Sequence, residues 1–329
     1  MNILIVSEKP SLSRAIAQTA RAHWPLDTIT FVHAIPYGNF KFNYPRGLRL
    51  QDYPRVSEPV HKLNDWETWC GGGFDMDAAG TLTPRGASKE MFLDADSILY
   101  ACDPDHTGAI SFEVLMREVF GDDRAQDCPA LAMCSFVQGD VERAFARMAP
   151  FGPTFPESLS YGRMKRYFDW NWNVNALAVL GEVQRRVGVP TGAPMLSKYS
   201  LQLLYALRGR DPIFEAYVYS LMHKWPGTGR YQYETGQWRP RLGSAASMSS
   251  IIDNLVDAGL LDRLNPTKNT RLNVSERGHA LLALLHPDCE DPDLPFRLDD
   301  WCNKGTAAKP AVDRYIKTFF GKQLRFMAR

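Results

Sequence analysis

The sequence has no cysteine pair at the spacing of a zinc ribbon and no long apolar run. Its six cysteines are scattered, at Cys70, Cys102, Cys128, Cys134, Cys289 and Cys302. The lack of a Cys-x-x-Cys pair argues against a zinc ribbon, and free thiols in a reducing compartment are the simplest account. No segment reaches the roughly 20 apolar residues of a membrane span, and the N-terminus lacks the basic leader of a signal peptide. We therefore expect a cytoplasmic protein.

The charge is balanced in total but not along the chain. The 38 lysines and arginines and the 37 aspartates and glutamates leave a formal net charge of +1. Acidic residues are concentrated in the first third, and the balance turns basic from Arg163 onward. A segregated basic half favours a polyanionic partner, for which the phosphate backbone of a nucleic acid is the usual candidate. Solvated helix faces are the alternative, because charge alone does not distinguish the two.

The strongest local motif is Ala-Cys-Asp-Pro-Asp-His-Thr-Gly at residues 101–108. It follows an apolar run at 97–100 that predicts a buried strand, and it precedes an amphipathic helical pattern. The motif thus places Asp103 and Asp105 at the carboxyl end of a strand in an α/β sheet, where ligands bind. Two such carboxylates can share one Mg²⁺ ion, although Asp-Pro-Asp also forms ordinary turns.

A further acidic residue, Glu8, follows the apolar strand predicted at residues 2–7. In a parallel sheet Glu8 would lie at the same edge as Asp103 and Asp105, and helix capping is its alternative role. We also predict a strand at 130–137 and a loop-rich insertion at about 28–93. Prolines at 150, 153 and 156 predict the boundary between a first domain, residues 1–150, and a second, residues 157–329.

The second domain is predicted to be mainly helical. Its stretch 163–172 mixes cations with aromatic rings, which suits single-stranded nucleic acid but is also typical of a core with solvated neighbours. Residues 213–240 predict a short β connection. A helix ending at Gly259, an extended segment at 271–274 and a helix from Ser275 are typical of a winged-helix unit. A last helix is predicted at about 308–320.

Several segments, taken together, resemble the type IA DNA topoisomerases, especially the topoisomerase III branch. Residues 4–11 (Leu-Ile-Val-Ser-Glu-Lys-Pro-Ser) resemble the opening of that family's Toprim domain. Residues 38–40 (Gly-Asn-Phe) stand where the family has Gly-His-Leu, and residues 103–108 are similar to its Asp-Pro-Asp-Arg-Glu-Gly-Glu motif. Residues 165–175 resemble the family's Arg-x-x-Ala-Asp-Trp-x-x-Gly-x-Asn segment. Residues 242–261 with 274–278 resemble its closing helical region, which grips single-stranded DNA.

The chain also departs from the family pattern. The family's DNA gate should lie between about residues 210 and 240, and roughly thirty residues cannot form it. No tyrosine stands in the context of the gate's nucleophile. His106, Thr107 and Ala109 replace Arg, Glu and Glu in the acidic motif, which lowers the expected affinity for Mg²⁺. Glu113 is a weak candidate to compensate, and a salt-bridged surface role is favoured for it.

The resemblance implies an α/β Toprim domain with a Rossmann-like, mostly parallel sheet, followed by a mainly α-helical domain with winged-helix elements. It makes Glu8, Asp103 and Asp105 the candidate catalytic residues and Mg²⁺ ligands. The implied DNA-binding residues are Lys9, Arg163, Lys165, Arg166, Asp169, Trp170, Asn175, Ser244 and Ser247. Of these, Asp169, Trp170 and Asn175 match the family segment position for position, whereas Lys165 replaces an arginine.

Three functions follow as hypotheses. The favoured one is a DNA-binding accessory factor, preferring single strands, that works with other DNA-processing proteins. The second is a Toprim enzyme that nicks DNA with Mg²⁺, in one variant through a tyrosine nucleophile (Tyr161, Tyr167, Tyr199 or Tyr233). The third is a topoisomerase whose gate is supplied by a partner chain. In every case, strand passage by this chain alone is not expected.

Overall fold

The computed structural model describes residues 1–35, 38–66, 69, 71–231, 239–265 and 269–328. The chain divides into two compact units. We call them the sheet unit, Met1–Tyr44 with Pro59–Arg163, and the helical unit, Pro45–Glu58 with Met164–Arg329. Across the described residues, no helix combines the length and the apolar character needed to cross a membrane.

The sheet unit is built on a mixed seven-stranded sheet. The strands of this unit are β1 (Asn2–Ser7), β2 (Thr28–His33), β3 (Phe40–Phe42), β4 (His61–Leu63), β5 (Gly73–Met76), β6 (Leu82–Arg85), β7 (Ser97–Ala101), β8 (Pro129–Ala130) and β9 (Ala149–Pro150). The sheet order is β6-β5-β2-β1-β7-β8-β9, and β3 pairs with β4 separately. The four central strands β2, β1, β7 and β8 run parallel, whereas the outer pairings are antiparallel.

Helices cover both faces of this sheet. They are α1 (Pro10–His23), α2 (Glu90–Leu93), α3 (His106–Phe120), α4 (Gln138–Ala146) and α5 (Phe151–Thr154). Alternate residues of β1 enter different cores, Ile3 and Ile5 with α1 and α4, and Leu4 and Val6 with α3 and α5. Burial on both faces explains why residues 2–7 form an unbroken apolar run. The predicted α/β class, with a parallel centre to the sheet, is confirmed.

Two predictions in this unit need correction. The expected loop-rich insertion at about 28–93 contributes three strands of the sheet, β2, β5 and β6. The strand expected at 130–137 shrinks to the two residues of β8, because the chain leaves the ladder after the Leu131 amide bonds to the Tyr100 carbonyl. Leu131 and Met133 are then buried in the core, where their apolar side chains need no strand pairing.

The helical unit follows as predicted in its coarse character. Its helices are α6 (Pro156–Asn175, which spans the unit boundary), a π-helical turn (Ala176–Leu180), α7 (Gly181–Arg186), α8 (Lys198–Leu207), α9 (Glu215–His223), α10 (Met248–Asp257), α11 (Glu276–Ala283), α12 (Leu294–Lys304) and α13 (Lys309–Met327). A small antiparallel sheet has the order β10-β12-β11, with β10 (Ile213–Phe214), β11 (Leu261–Leu264) and β12 (Arg271–Val274).

The short β connection expected at 213–240 is largely different in the structure. In the described part of this stretch, 213–231 and 239–240, β10 is the only strand and α9 follows it directly, while residues 232–238 lie outside the described residues. The reason is the spacing of Val218 and Met222, which lie one helical turn apart and are both buried.

The last helix also exceeds its predicted end near residue 320 and continues to Met327.

Candidate functional site

The carboxyl ends of β1 and β7 bring the predicted acidic residues of the sheet unit together. Ser7 pairs with Ala101 in the parallel ladder, so Glu8 and Asp103 emerge side by side. The Asp103 amide donates to Glu8 Oε2 at 3.4 Å, and Lys9 Nζ donates to Asp103 Oδ2 at 2.9 Å. We call Glu8, Lys9, Asp103 and Asp105 the acidic edge.

The backbone around Asp103 is held by its own motif. Asp105 Oδ1 accepts the amides of Thr107 and Gly108, both at 2.8 Å, and so caps the N-terminus of α3. The Tyr100 hydroxyl donates to the Asp103 carbonyl at 2.7 Å. A Cβ atom at Gly108 would lie 2.4 Å from that same carbonyl oxygen, so this turn requires glycine. The motif thus builds a tight strand-to-helix turn that presents two carboxylates.

Charge crowding perturbs the acidic edge. Burial, and then the neighbouring carboxylates of Asp103 and Asp105, raise the pKa of Glu8, while Lys9 opposes this effect. The hydrogen bond to Asp103 raises the pKa of Lys9 in turn. Glu8 therefore holds its proton more tightly than an ordinary glutamate, because its charged form is partly removed from water and lies beside two further carboxylates.

The acidic edge has donor atoms that suit Mg²⁺, but their arrangement suits a metal ion less well. Its oxygen donors are those a hard cation prefers. However, Lys9 already donates to the Asp103 carboxylate, and the first amides of α3 already donate to the Asp105 carboxylate. Among the described residues, no group of three or more His, Cys, Asp and Glu side chains is placed to hold a metal ion. The positive charge found at this edge belongs to Lys9.

Glu113 and Arg163 form a separate pair within the sheet unit. Glu113 is buried, which corrects the expectation of a surface glutamate, and Arg163 Nε donates to both of its carboxylate oxygens at 3.0 Å. Gln126 also donates to this carboxylate, at 3.4 Å. Glu113 thus does not extend the acidic edge. The charge of Arg163, a predicted DNA-binding residue, is neutralised by a buried partner.

A second polar cluster lies in the helical unit, where two lysines share one aspartate. Asp169 accepts from Lys165 Nζ at one carboxylate oxygen and from Lys198 Nζ, at 2.6 Å, at the other. The three side chains are mostly buried, yet Lys165 stays 23% exposed and Asp169 18%. We call these residues the lysine cluster. It carries one positive charge in excess and opens to solvent at Lys165.

Burial and pairing act against each other in the lysine cluster. Burial alone would raise the pKa of Asp169, but the two ammonium groups hold it well below its ordinary value. Burial lowers the pKa of Lys198 to about 8, because Asp169 compensates only in part and Lys165 repels it. An anion that approached this cluster would balance the uncompensated charge. Lys198 is not among the predicted site residues, because its only sequence signal is a lysine at the start of a mostly apolar helix.

Three predicted strand-binding residues lie inside the protein, and their assignment to a binding surface is corrected. Trp170 is 2% exposed, Asn175 0% and Arg166 8%. Asn175 binds the Arg55 backbone in both directions, donating to its carbonyl at 2.7 Å and accepting its amide at 2.8 Å. The indole of Trp170 donates to Ser57 Oγ at 3.0 Å. Trp170 and Asn175 therefore hold the segment Pro45–Glu58 against α6.

Asn171 repeats this arrangement one helical turn earlier. It donates to the Ser57 carbonyl at 3.0 Å and accepts the Ser57 amide at 2.9 Å. We call Asn171 and Asn175 the asparagine clamp. Two asparagines four residues apart in a helix were the sequence signal of this clamp, because their side chains project from the same face.

The predicted residues that remain are two serines and the candidate tyrosine nucleophiles. Ser244 is exposed just before α10, and its amide donates to Ser247 Oγ at 2.8 Å. Of the candidate nucleophiles, Tyr167 donates to Asp313 at 2.6 Å, and burial raises the pKa of Tyr167 and that of Tyr199, the latter to about 12, so neither hydroxyl has the lowered pKa of an activated nucleophile. Tyr161 packs its ring against His106, with centroids 4.5 Å apart. Tyr233 lies outside the described residues.

Two comparisons with known proteins give no relative. No protein-family model matches the chain, and a search of curated proteins finds no significant match. The assignment of function therefore depends on the residues and contacts described above.

Proposed function

We propose that this protein binds single-stranded DNA with its helical unit and serves as an accessory DNA-processing factor. The observation that carries the proposal is the division of charge between the units. The helical unit has 26 lysines and arginines against 18 aspartates and glutamates, a formal charge of +8, and the sheet unit has 12 against 19, a formal charge of −7. A polyanion is the natural ligand of a unit charged in this way.

The lysine cluster gives this charge a specific place. Two ammonium groups meet one carboxylate at a partly open position, so a phosphate oxygen would supply the missing negative charge. We propose that Lys165 and Lys198 contact the backbone of the strand and that Asp169 positions them. Arg166, Trp170 and Asn175 support this surface from inside and do not contact the strand.

The architecture is consistent with a gate-less relative of the type IA topoisomerases. A parallel sheet centre with carboxylates at the ends of β1 and β7 suits a Toprim domain. The order α10, β11, β12, α11 suits a winged helix. We propose both assignments on these grounds. Strand passage is not part of the proposal, since it requires a gate that opens.

The test is a binding measurement on the full chain with fluorescently labelled oligo-dT, followed by anisotropy over a series of salt concentrations. We expect tighter binding to the single strand than to a duplex of equal length, weakening as salt rises. Lys165→Gln and Lys198→Gln should each lower the salt slope by about 0.7. Lys198→Arg, which keeps the charge, should retain binding.

The matched control is Lys304→Gln, which removes an exposed lysine paired with Asp300 in the same unit. Its affinity and salt slope should equal those of the unchanged protein. Equal losses in all three glutamine variants would contradict a specific role of the lysine cluster. Absence of salt-dependent binding by the unchanged protein would overturn the proposed function.

The acidic edge supports a second candidate, metal-dependent nicking of DNA. The observation in its favour is the placement of Glu8 beside Asp103 and Asp105, where repulsion between carboxylates adds to the effect of burial on the pKa of Glu8 and a divalent cation would relieve that repulsion. In this candidate Mg²⁺ would have to replace Lys9 at Asp103, with Glu8 and Asp105 as further ligands, and it would supply charge stabilisation at a phosphate. Supercoiled plasmid incubated with Mg²⁺ or Mn²⁺ should then show nicks that disappear in Asp103→Asn/Asp105→Asn. Relaxation that requires an added protein would instead favour the partner-completed topoisomerase.

A further inference from the structure

One face of the small sheet in the helical unit is open and carries an ordered row of side chains. In the ladder, Phe214 of β10 lies opposite Arg271 of β12, which in turn lies opposite Leu264 of β11. Residues directly opposite each other in a sheet project to the same side. Phe214, Arg271 and Leu264 therefore form a single row across all three strands.

The two faces of this sheet differ sharply in burial. Leu272 and Val274, which alternate with Arg271 along β12, are buried. Phe214 is 44% exposed and Leu264 39% exposed. The row thus lies on the outer face, and the Phe214 ring is not part of the buried core of the unit.

Arg271 and Phe214 already form a stack. The guanidinium carbon of Arg271 lies 4.3 Å from the centroid of the Phe214 ring. Arg263, which alternates with Leu264 and faces the other side, is neutralised by Glu215 at 2.7 Å and Asp253 at 2.8 Å. Arg271, in contrast, makes no ion pair with any residue in the part of the chain that the structure describes. The outer row therefore combines a flat apolar ring with an uncompensated, planar cation.

This combination matches an unpaired nucleotide better than a protein surface. A base stacks on an aromatic ring or on a guanidinium plane, and the same guanidinium attracts the phosphate beside it. The row also belongs to the unit with a formal charge of +8, so its surroundings attract a polyanion over longer distances.

We propose that the outer face of the sheet β10-β12-β11 is a base-stacking site for single-stranded DNA, formed by Phe214 and Arg271. This inference rests on the proposed function and adds a second point of contact, distinct from the lysine cluster. The lysine cluster binds the backbone, whereas this face takes a base without reading its identity, because every base presents a flat surface.

The test combines affinity and photo-crosslinking with a strand that contains 5-bromouracil. Phe214→Ala should weaken binding of this strand about fivefold to a hundredfold, the range expected for one lost stacking contact. Phe214→Tyr should retain affinity, and Arg271→Gln should lower the salt slope by about 0.7. Irradiation followed by mass spectrometry should place a crosslink on the peptide that contains Phe214.

Phe136→Ala is the matched control, since Phe136 is 49% exposed but belongs to the acidic sheet unit. It should leave affinity unchanged. Salt-dependent binding that persists in Phe214→Ala, with crosslinks elsewhere, would overturn the stacking site and leave the proposed function intact. Absence of binding by the unchanged protein would overturn both. Self-association that Phe214→Ala abolishes, with unchanged DNA affinity, would assign the face to a protein contact and also overturn the inference.

Discussion

Lys9 and Asp103 emerge from neighbouring parallel strands and meet at 2.9 Å, so the acidic edge carries its own cation. This pair lowers the electrostatic cost of placing Glu8 beside two aspartates. The acidic edge is therefore a charge-balanced cluster, and its response to the loss of one member can be predicted.

Removal of the cation should raise the pKa of Glu8 further. In Lys9→Met the carboxylates of Asp103 and Asp105 remain while the ammonium is gone, so the charged form of Glu8 becomes less favourable. A carbon-detected NMR titration of the glutamate carboxyl groups measures this change. Lys62→Met, at an exposed position of the same unit, should leave the Glu8 titration in place. An unchanged pKa of Glu8 in Lys9→Met would contradict the balance described here.

The glycine of the acidic motif should be intolerant of even one methyl group. Gly108→Ala places a Cβ atom 2.4 Å from the Asp103 carbonyl oxygen, and we expect a loss of about 1–3 kcal/mol in the free energy of unfolding. Gly139→Ala in α4 is the control, because a Cβ atom there would meet only the flexible end of the Arg143 side chain, at 3.5 Å. That variant should be neutral or stabilised by up to about 1 kcal/mol. Urea denaturation of both proteins measures the difference.

Lys198 should make stability depend on pH in the alkaline range. Folding lowers its pKa from 10.5 to about 8, so between these values the unfolded chain binds more protons than the folded one. The free energy of unfolding contributed by Lys198 therefore rises with pH across this window. Urea denaturation at several pH values should show this rise, and Lys198→Met should lack it. Parallel curves for the two proteins would refute the prediction.

The titration of Lys198 should also change the affinity for DNA. As pH rises through about 8, Lys198 loses its charge and affinity for oligo-dT should fall. Lys198→Arg stays charged throughout this range, so its affinity should stay level. Anisotropy titrations at fixed ionic strength compare the two. A fall of equal size in both proteins would show that another group is responsible.

Loss of the asparagine clamp should release the segment Pro45–Glu58. In Asn175→Ala the Arg55 amide and carbonyl lose their partners, at a cost of about 0.5–1.5 kcal/mol for each of these part-buried hydrogen bonds. Trypsin should then cut faster after Arg46, Arg49 and Arg55, which is measurable by mass spectrometry of timed digests. Asn303→Ala, at an exposed asparagine bonded to Asp299, should keep the original pattern. Unaltered cleavage in Asn175→Ala would mean that the clamp does not hold the segment.

The acidic edge could be predicted from the sequence because it follows from two strand patterns and their parallel pairing. An apolar run at residues 2–7 with Glu8 directly after it, and a second at 97–100 with Asp103 three residues on, suffice to place Glu8 and Asp103 together once the strands are parallel. The two-residue strand β8 could not be foreseen, since burial without pairing leaves the same apolar pattern as a strand.

The helical unit shows where such reasoning fails. Trp170 stands among cations in the sequence, and that setting does not reveal whether its ring faces a ligand or a core. Lys198 lies 29 residues from Asp169, and only the packing of α8 against α6 brings them together. Contacts of this kind depend on the tertiary fold, and the periodicity of apolar residues along the sequence does not predict them.

The asparagine clamp has a consequence for how the protein can be divided. The chain changes unit at residues 44, 58 and 163, so the helical unit is encoded in two separate pieces. A fragment that begins at Met164 would keep Asn171 and Asn175 but lack the peptide that they bind. Laboratory dissection or genetic exchange at a single point would therefore produce two incomplete modules, and the two units are expected to be inherited as one piece.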